Sequence, residues 1–227
     1  NENSENYEFS LGLNGLGSCA TQYASRYMDV TVWREGKEYS LRFERGEIVG
    51  QLQTRPLPDS QKRKTGTRIH WLPDLDVFPD IQIPLDYYRD VMKRQAVVHA
   101  GVTFRLRNQN GAAFDTEDFL YENGIADYIR ELAGLDAFTE PLCWECERRG
   151  RDRADKAEYK VKLNIACCFS NKHPVVEHYH NSSFLEHGGS PEKATRLAFV
   201  YAIDKYLRDH GKYTKDENKI TYPDVQD

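Results

Sequence analysis

Apolar and polar positions alternate in several short stretches of the first half, and a two-residue period predicts strands there. They are residues 28–33, then 37–43 after the turn Arg34-Glu35-Gly36, then 68–72 ended by Pro73, and 102–107 ahead of an Asn110-Gly111 turn. Helical spacing takes over between them. One helix is expected over 18–27, directly after a glycine cluster. A second starts near Pro84, which suits a first helical position, and carries Leu85, Tyr88, Met92 and Ala96 on one face. A third follows Asn123, a good N-cap, with Ile125, Tyr128, Ile129 and Leu132 aligned.

The rhythm breaks over 134–155, which holds Pro141, Gly150 and the charge run Glu147 to Arg153. A domain boundary is expected at its start, and the charge run reads as a solvated hairpin tip or loop. Beyond it, residues 157–169 alternate like a long strand. Residues 175–179 read as its partner across a turn at Asn171-Lys172. A long helix begins near Ser190-Pro191-Glu192, with the stripe Phe199, Val200, Ile203, Tyr206 and Leu207, and Gly211 stops it. The tail over 212–227 is polar and is expected to add no further element.

The 227 residues, 39% hydrophobic and 30% charged, allow one large or two modest domains. A net charge of −5 excludes wholesale coating of nucleic acid but not a local basic patch. No apolar run approaches the roughly 20 residues that span a bilayer, and the first residues do not read as a signal peptide. Five unevenly spaced cysteines make a poor disulfide framework and fit a reducing cytoplasm. Cys143-Trp-Glu-Cys146 has the spacing of half a zinc site, yet no second pair completes four ligands. Cys167 and Cys168 read as strand neighbours pointing to opposite faces. His173, His178, His180 and His187, with Glu177 and Glu186, are a second metal candidate, set against exposed strand-end histidines. Asp74 and Asp76, flanked by Pro73 and Pro79, read as a turn rather than a hydrolytic carboxylate pair. No metal site is expected.

The chemically distinctive stretch is Gly12-Leu13-Asn14-Gly15-Leu16-Gly17, leading into the first helix. Glycines let a backbone approach an anion closely, and the free N–H groups at a helix start then point at it. No Gly-Lys-Ser/Thr follows, so it is not a Walker loop. The spacing is not GxGxxG either, so it is a poor dinucleotide fingerprint.

In its context this loop resembles the third ATP-binding motif of the GHKL superfamily, and within it the B subunits of bacterial type II topoisomerases, DNA gyrase and topoisomerase IV. Tyr7-Glu-Phe-Ser-Leu-Gly-Leu-Asn-Gly-Leu-Gly17 resembles the family stretch ending GLHGVG. Val30 to Tyr39, Phe43-Glu-Arg-Gly46 and Lys64 to Pro73 follow in family order. Tyr121-Glu-Asn-Gly-Ile125 is similar to YEGGI, and Gly188-Gly189 to the GGTH turn. The resemblance implies an α+β protein: the C-terminal part of a GHKL (Bergerat) ATPase α/β sandwich over 1–134, then a transducer domain resembling ribosomal protein S5 domain 2 over 135–227.

It also implies roles. Gly12, Leu13, Asn14, Gly15, Leu16 and Gly17 wrap the ATP triphosphate, with Asn14 where the family usually has His. Tyr7 contacts the nucleotide, Thr67 lies beside the adenine pocket, and Arg34 lies at the pocket mouth, where aminocoumarins stack. Their bland readings are a strand residue for Thr67 and a solvated hairpin residue for Arg34. Arg196 faces the cavity through which DNA passes, or is a core-edge arginine with a local acceptor. Pro191 replaces the histidine of GGTH. The Mg²⁺-binding asparagine, the general-base glutamate and the adenine-reading aspartate are expected upstream of residue 1, and the γ-phosphate lysine downstream. The sequence is therefore expected to be a fragment with no catalytic residue and no Mg²⁺ ligand, mainly monomeric and inactive alone. The parent is expected to bind ATP and Mg²⁺, to dimerise on ATP and to act on DNA with the topoisomerase A subunit in an A2B2 heterotetramer. The alternative is a non-catalytic protein-interaction module on the same scaffold.

Overall fold

A computed structural model of the chain describes residues 16–151, 153–171 and 174–226. They fall into two compact units, 16–84 and 85–226.

The first unit opens with helix α1 (Leu16–Tyr23), followed by strands β1 (Ser25–Arg34), β2 (Lys37–Glu44), β3 (Glu47–Pro56) and β4 (Gly66–Pro73). They form one antiparallel sheet in the order β3-β2-β1-β4. The expected first helix stops four residues early, because Ser25 to Tyr27 already pair in β1 with β4. Here the β-branched and aromatic run of β1 overrides helix spacing. The turn into β3 is locked by Gly46. Its φ is +89°, and a side-chain carbon there would run into the Tyr23 ring. Gln22 Nε2 donates to the Gly46 carbonyl at 2.8 Å, so the end of α1 is tied to this turn. Asp74 and Asp76 form the expected turn after β4. Arg45 bridges both carboxylates, at 2.9 and 2.7 Å, and Asp74 Oδ1 accepts the Asp76 N–H.

The second unit holds α2 (Leu85–Val98), the hairpin β5 (Phe104–Asn110) and β6 (Ala113–Phe119), and α3 (Ile125–Ala133). The hairpin β7 (Leu142–Gly150) and β8 (Tyr159–Cys167) follows, then the short pair β9 (Tyr179–His180) and β10 (Ser183–Phe184), α4 (Ser190–Asp209) and α5 (Tyr222–Gln226). Its core is Ala96, Val97 and Tyr121, packed by Val98, Phe104, Phe119, Ile125 and Tyr128.

Several expectations are corrected. The partner of β8 is β7, not residues 175–179: Cys143 pairs with Ala166 and Arg149 with Lys160. The charge run keeps its expected place at a solvated hairpin end, beginning inside β7 and leaving it at Gly150. Its charges are matched across the strands by Lys160–Glu147 and around the turn by Arg151–Glu158. Cys167 closes β8 and Cys168 lies beyond it. Asn123 does not cap α3 with its oxygen; its backbone N–H and amide both donate to Asp127. The polar tail does form an element: at the start of α5, Asp224 Oδ2 accepts from both the backbone N–H (2.7 Å) and the hydroxyl (2.6 Å) of Thr221.

Candidate functional site

Tyr7, Gly12, Leu13, Asn14 and Gly15 lie outside the described residues. Leu16 and Gly17 open α1. Leu16 is 68% exposed, and a side-chain carbon added at Gly17 would meet nothing within 4 Å.

Sheet register brings two other residues of the candidate set together. Val32 pairs directly with Thr67, and cross-strand partners share a face. Arg34 lies two residues beyond Val32 on the same strand, so it shares that face too. The rest of the face is mostly apolar, with Met28 and Val30 from β1, Leu41 and Phe43 from β2, and Ile69 and Trp71 from β4, while Tyr39 stands opposite Val32 and Lys37 opposite Arg34. Thr67 and Arg34 thus supply polar groups at one end of an apolar wall. Such a wall with a few placed polar groups suits a heteroaromatic ligand. Arg34 is exposed and touches Glu35 at 2.6 Å. That hydrogen bond and charge hold the Glu35 carboxyl below its ordinary range and raise the guanidinium.

On the opposite face, Lys64 lies 3.6 Å above the Trp33 ring centroid, and Trp33 Nε1 donates to Glu38 at 2.8 Å. This pair braces the segment leading into Gly66 and Thr67. No motif in the sequence marks it, since the two residues are far apart along the chain and meet only through the β1–β4 ladder.

Arg196 stands in the second turn of α4. Glu192, one helical turn earlier, accepts from Arg196 Nε at 3.0 Å and from its terminal nitrogen at 2.6 Å. The guanidinium carbon lies 4.6 Å from the Tyr222 ring centroid of α5. Both residues line a groove of about 510 Å³, with His178, His187, Glu186 and Gln226. Behind it, Asp204 is 7% exposed. It accepts from Tyr213 at 2.9 Å and from Arg208 at 3.2 Å, with Lys219 at 3.8 Å. Burial pushes its pKa up, but the Tyr213 hydrogen bond and the two cations outweigh that and hold it below the ordinary value.

A polar interlock binds α2, α3 and the β9 region. Glu177 accepts from Tyr128 at 3.0 Å and from Tyr179 at 2.7 Å. Burial foremost, then the Glu177 carboxylate, pushes the Tyr128 phenol up to about 12. Gln95 Nε2 donates to the Ser182 carbonyl at 2.9 Å. His178 is engaged with Thr195 at 3.2 Å, and among the described residues no group of three or more His, Cys, Asp or Glu converges to hold a metal.

This arrangement has counterparts among known proteins. A family model described as DNA gyrase B matches residues 124–227. The gyrase B protein of Synechocystis is 36% identical over 94% of this chain and 19% of its own length. That of Enterococcus faecalis is 25% identical over 97% of this chain and 33% of its own. The chain thus spans about a fifth to a third of these relatives. The solved 43K ATPase domain of Thermus thermophilus gyrase B, in complex with an aminocoumarin, superposes with a TM-score of 0.69. The identity is 22%, covering 94% of this chain and 55% of that one. The topoisomerase IV ATP-binding domain of Francisella tularensis gives 0.65 at 19% identity, covering 96% and 56%. By family model, by sequence and by its α+β fold of ATPase-domain sheet and adjoining transducer-like hairpin, the chain matches the DNA gyrase B and topoisomerase IV ATPase-domain family.

Proposed function

We propose that this chain is the ATP-binding and transducer part of a type II topoisomerase B subunit, with residues 1–134 completing the nucleotide domain and 135–227 opening the transducer. The observation that carries this reading is the β1–β4 register, which sets Thr67 and Arg34 on one largely apolar face.

In this reading Tyr7, Gly12, Leu13, Asn14, Gly15, Leu16 and Gly17 hold the nucleotide, the glycine loop gripping the triphosphate of ATP through backbone N–H groups. Thr67 lies beside the base, and Arg34 at the mouth of the pocket. Mg²⁺ neutralises phosphate charge when bound. Its asparagine ligand and the water-activating carboxylate come from residues outside these 227. Arg196 faces the cavity through which the parent passes DNA, together with the A subunit in an A2B2 assembly that closes on ATP. The five cysteines are free thiols, which suits the cytoplasm.

An aminocoumarin is the ligand of the Thermus relative and a direct probe here. Titrating one into the complete protein and into its Arg34→Ala variant should show about tenfold weaker binding, as a lost contact of about 1.4 kcal/mol gives. Equal affinities in the two would remove Arg34 from the pocket. The 227-residue chain alone should give no magnesium-dependent ATP turnover in a coupled assay.

A further inference from the structure

The proposed DNA-facing arginine is not a free charge. Arg196 gives two hydrogen bonds to one oxygen of Glu192 and stacks against Tyr222. The first partner is an i, i+4 neighbour with the acid N-terminal to the base, the favourable orientation on a helix. The second comes from α5, which follows α4 after the segment 210–221. Two local features keep these partners in place. Gly188, at a φ of +68°, leaves room for the Glu192 carboxylate to fold back; a side-chain carbon there would strike it. The Tyr222 end of α5 is fixed by the Thr221–Asp224 cap. The connecting segment is anchored to α4 by Tyr213 on Asp204, and the Ile220 N–H donates in turn to the Tyr213 hydroxyl.

From this geometry we infer that Glu192 and Tyr222 are positioning residues for Arg196. Glu192 parks the guanidinium and competes with a DNA phosphate for it, while the Tyr222 ring holds it at the rim of the groove through either state. The inference rests on the reading of Arg196 as DNA-facing. A cation stacked on a ring keeps its outer N–H edge available for phosphate oxygens. The carboxylate occupies that same edge. Exchange of Glu192 for phosphate therefore leaves the stack intact and changes only the anion.

The pair is half exposed, with side-chain exposures of 52% and 32%, so the competition is modest. An exposed pair of this kind corresponds to roughly a twofold change in an equilibrium constant. Double-stranded DNA binding by the complete protein, followed by fluorescence anisotropy across a salt series, reads it. Arg196→Ala should weaken binding and make the slope of log K against log salt shallower by about one phosphate contact. Glu192→Gln should tighten binding about twofold without loss of slope. Tyr222→Ala should weaken it several-fold, whereas Tyr222→Phe, which keeps the ring, should match wild type. Circular dichroism melts of each variant separate these effects from loss of helix. If Arg196→Ala leaves affinity and slope unchanged, the DNA-facing reading itself fails. If Arg196→Ala weakens binding while Glu192→Gln and Tyr222→Ala both equal wild type, that reading stands and the positioning role is overturned. A Tyr222→Phe variant as weak as Tyr222→Ala would also overturn it, since the hydroxyl rather than the ring would then matter.

Discussion

Arg34 and Arg196 are the arginines that the family resemblance singles out in each unit, and they are held in opposite ways. Arg34 closes β1, paired with Lys37 across the β1–β2 hairpin and one residue past the end of the β1–β4 ladder, while its side chain pairs with the neighbouring Glu35. Arg196 sits on a helix whose next element is five residues long, yet its side chain is gripped by Glu192 and Tyr222. In the sheet, position comes from the main chain, and the side chain's partner is an adjacent, exposed carboxylate that costs little to displace. In the helical region it comes from side-chain contacts, so a ligand has to displace one. Recognition at the first site therefore costs mainly side-chain entropy. At the second, one ion pair is exchanged for another.

The sharpest way to break the contrast is to damage each unit in turn and follow a tryptophan within it. Val97 is 1% exposed in the core of the second unit, so Val97→Ala should cost about 2.5 kcal/mol through lost burial and the cavity left behind. Urea unfolding followed at Trp144 of β7 should show the loss; a change under about 0.5 kcal/mol would mean that this core carries little of the unit's stability. Gly46→Ala acts on the first unit. It places a β-carbon at positive φ against Tyr23 and should cost about 1–2 kcal/mol, seen at Trp33 and Trp71. Wild-type stability there would show that α1 is not docked through this turn.

The smallest effect concerns acid. The folded Asp204 pKa lies below the ordinary value of 3.8. Its contribution is therefore present above that value and is lost as pH falls through the lower, folded one. Amide exchange over 213–226 should speed up below about pH 3.8. An Asp204→Asn variant should already be looser at neutral pH and show a flatter acid response. An unchanged acid response in the variant would exclude Asp204 as the anchor of the tail.

Much of the fold is legible in the residues, wherever a pattern belongs to one segment alone. β1, β2 and β4 announce themselves by alternation, α2 and α4 by helical spacing, and the 74–76 turn by its flanking prolines. What stays hidden is set by partners. β3 (Glu47–Pro56) carries a glycine and a register shift opposite Ser40 to Arg42, which blurs its alternation. β6 is acidic through its middle and is held by its neighbour, through the two-point Arg105–Asp118 contact and Asn110–Asp115. β7 is masked by its charges, which are neutralised only once β8 lies beside it. α5 has a readable signal in Thr221 and Asp224, but it is too short for periodicity to find. At the candidate site, the glycine loop stands out as a motif, whereas Thr67 is singled out only by the family resemblance and otherwise reads as a strand residue. Tyr222 does not stand out, because its relation to Arg196 exists only after the tail turns back.

The β1–β4 pairing also sets a rule of parity. Substitutions along these strands alter what the wall is made of, but inserting or deleting a single residue between Val32 and Arg34, or within the paired run of β4, transfers one arm of the site to the far side of the sheet. The connection from Pro56 to Gly66 can lengthen or shorten freely by comparison. Evolution of this pocket is therefore open to changes of chemistry and to loop growth, and closed to odd-numbered shifts of the strands themselves.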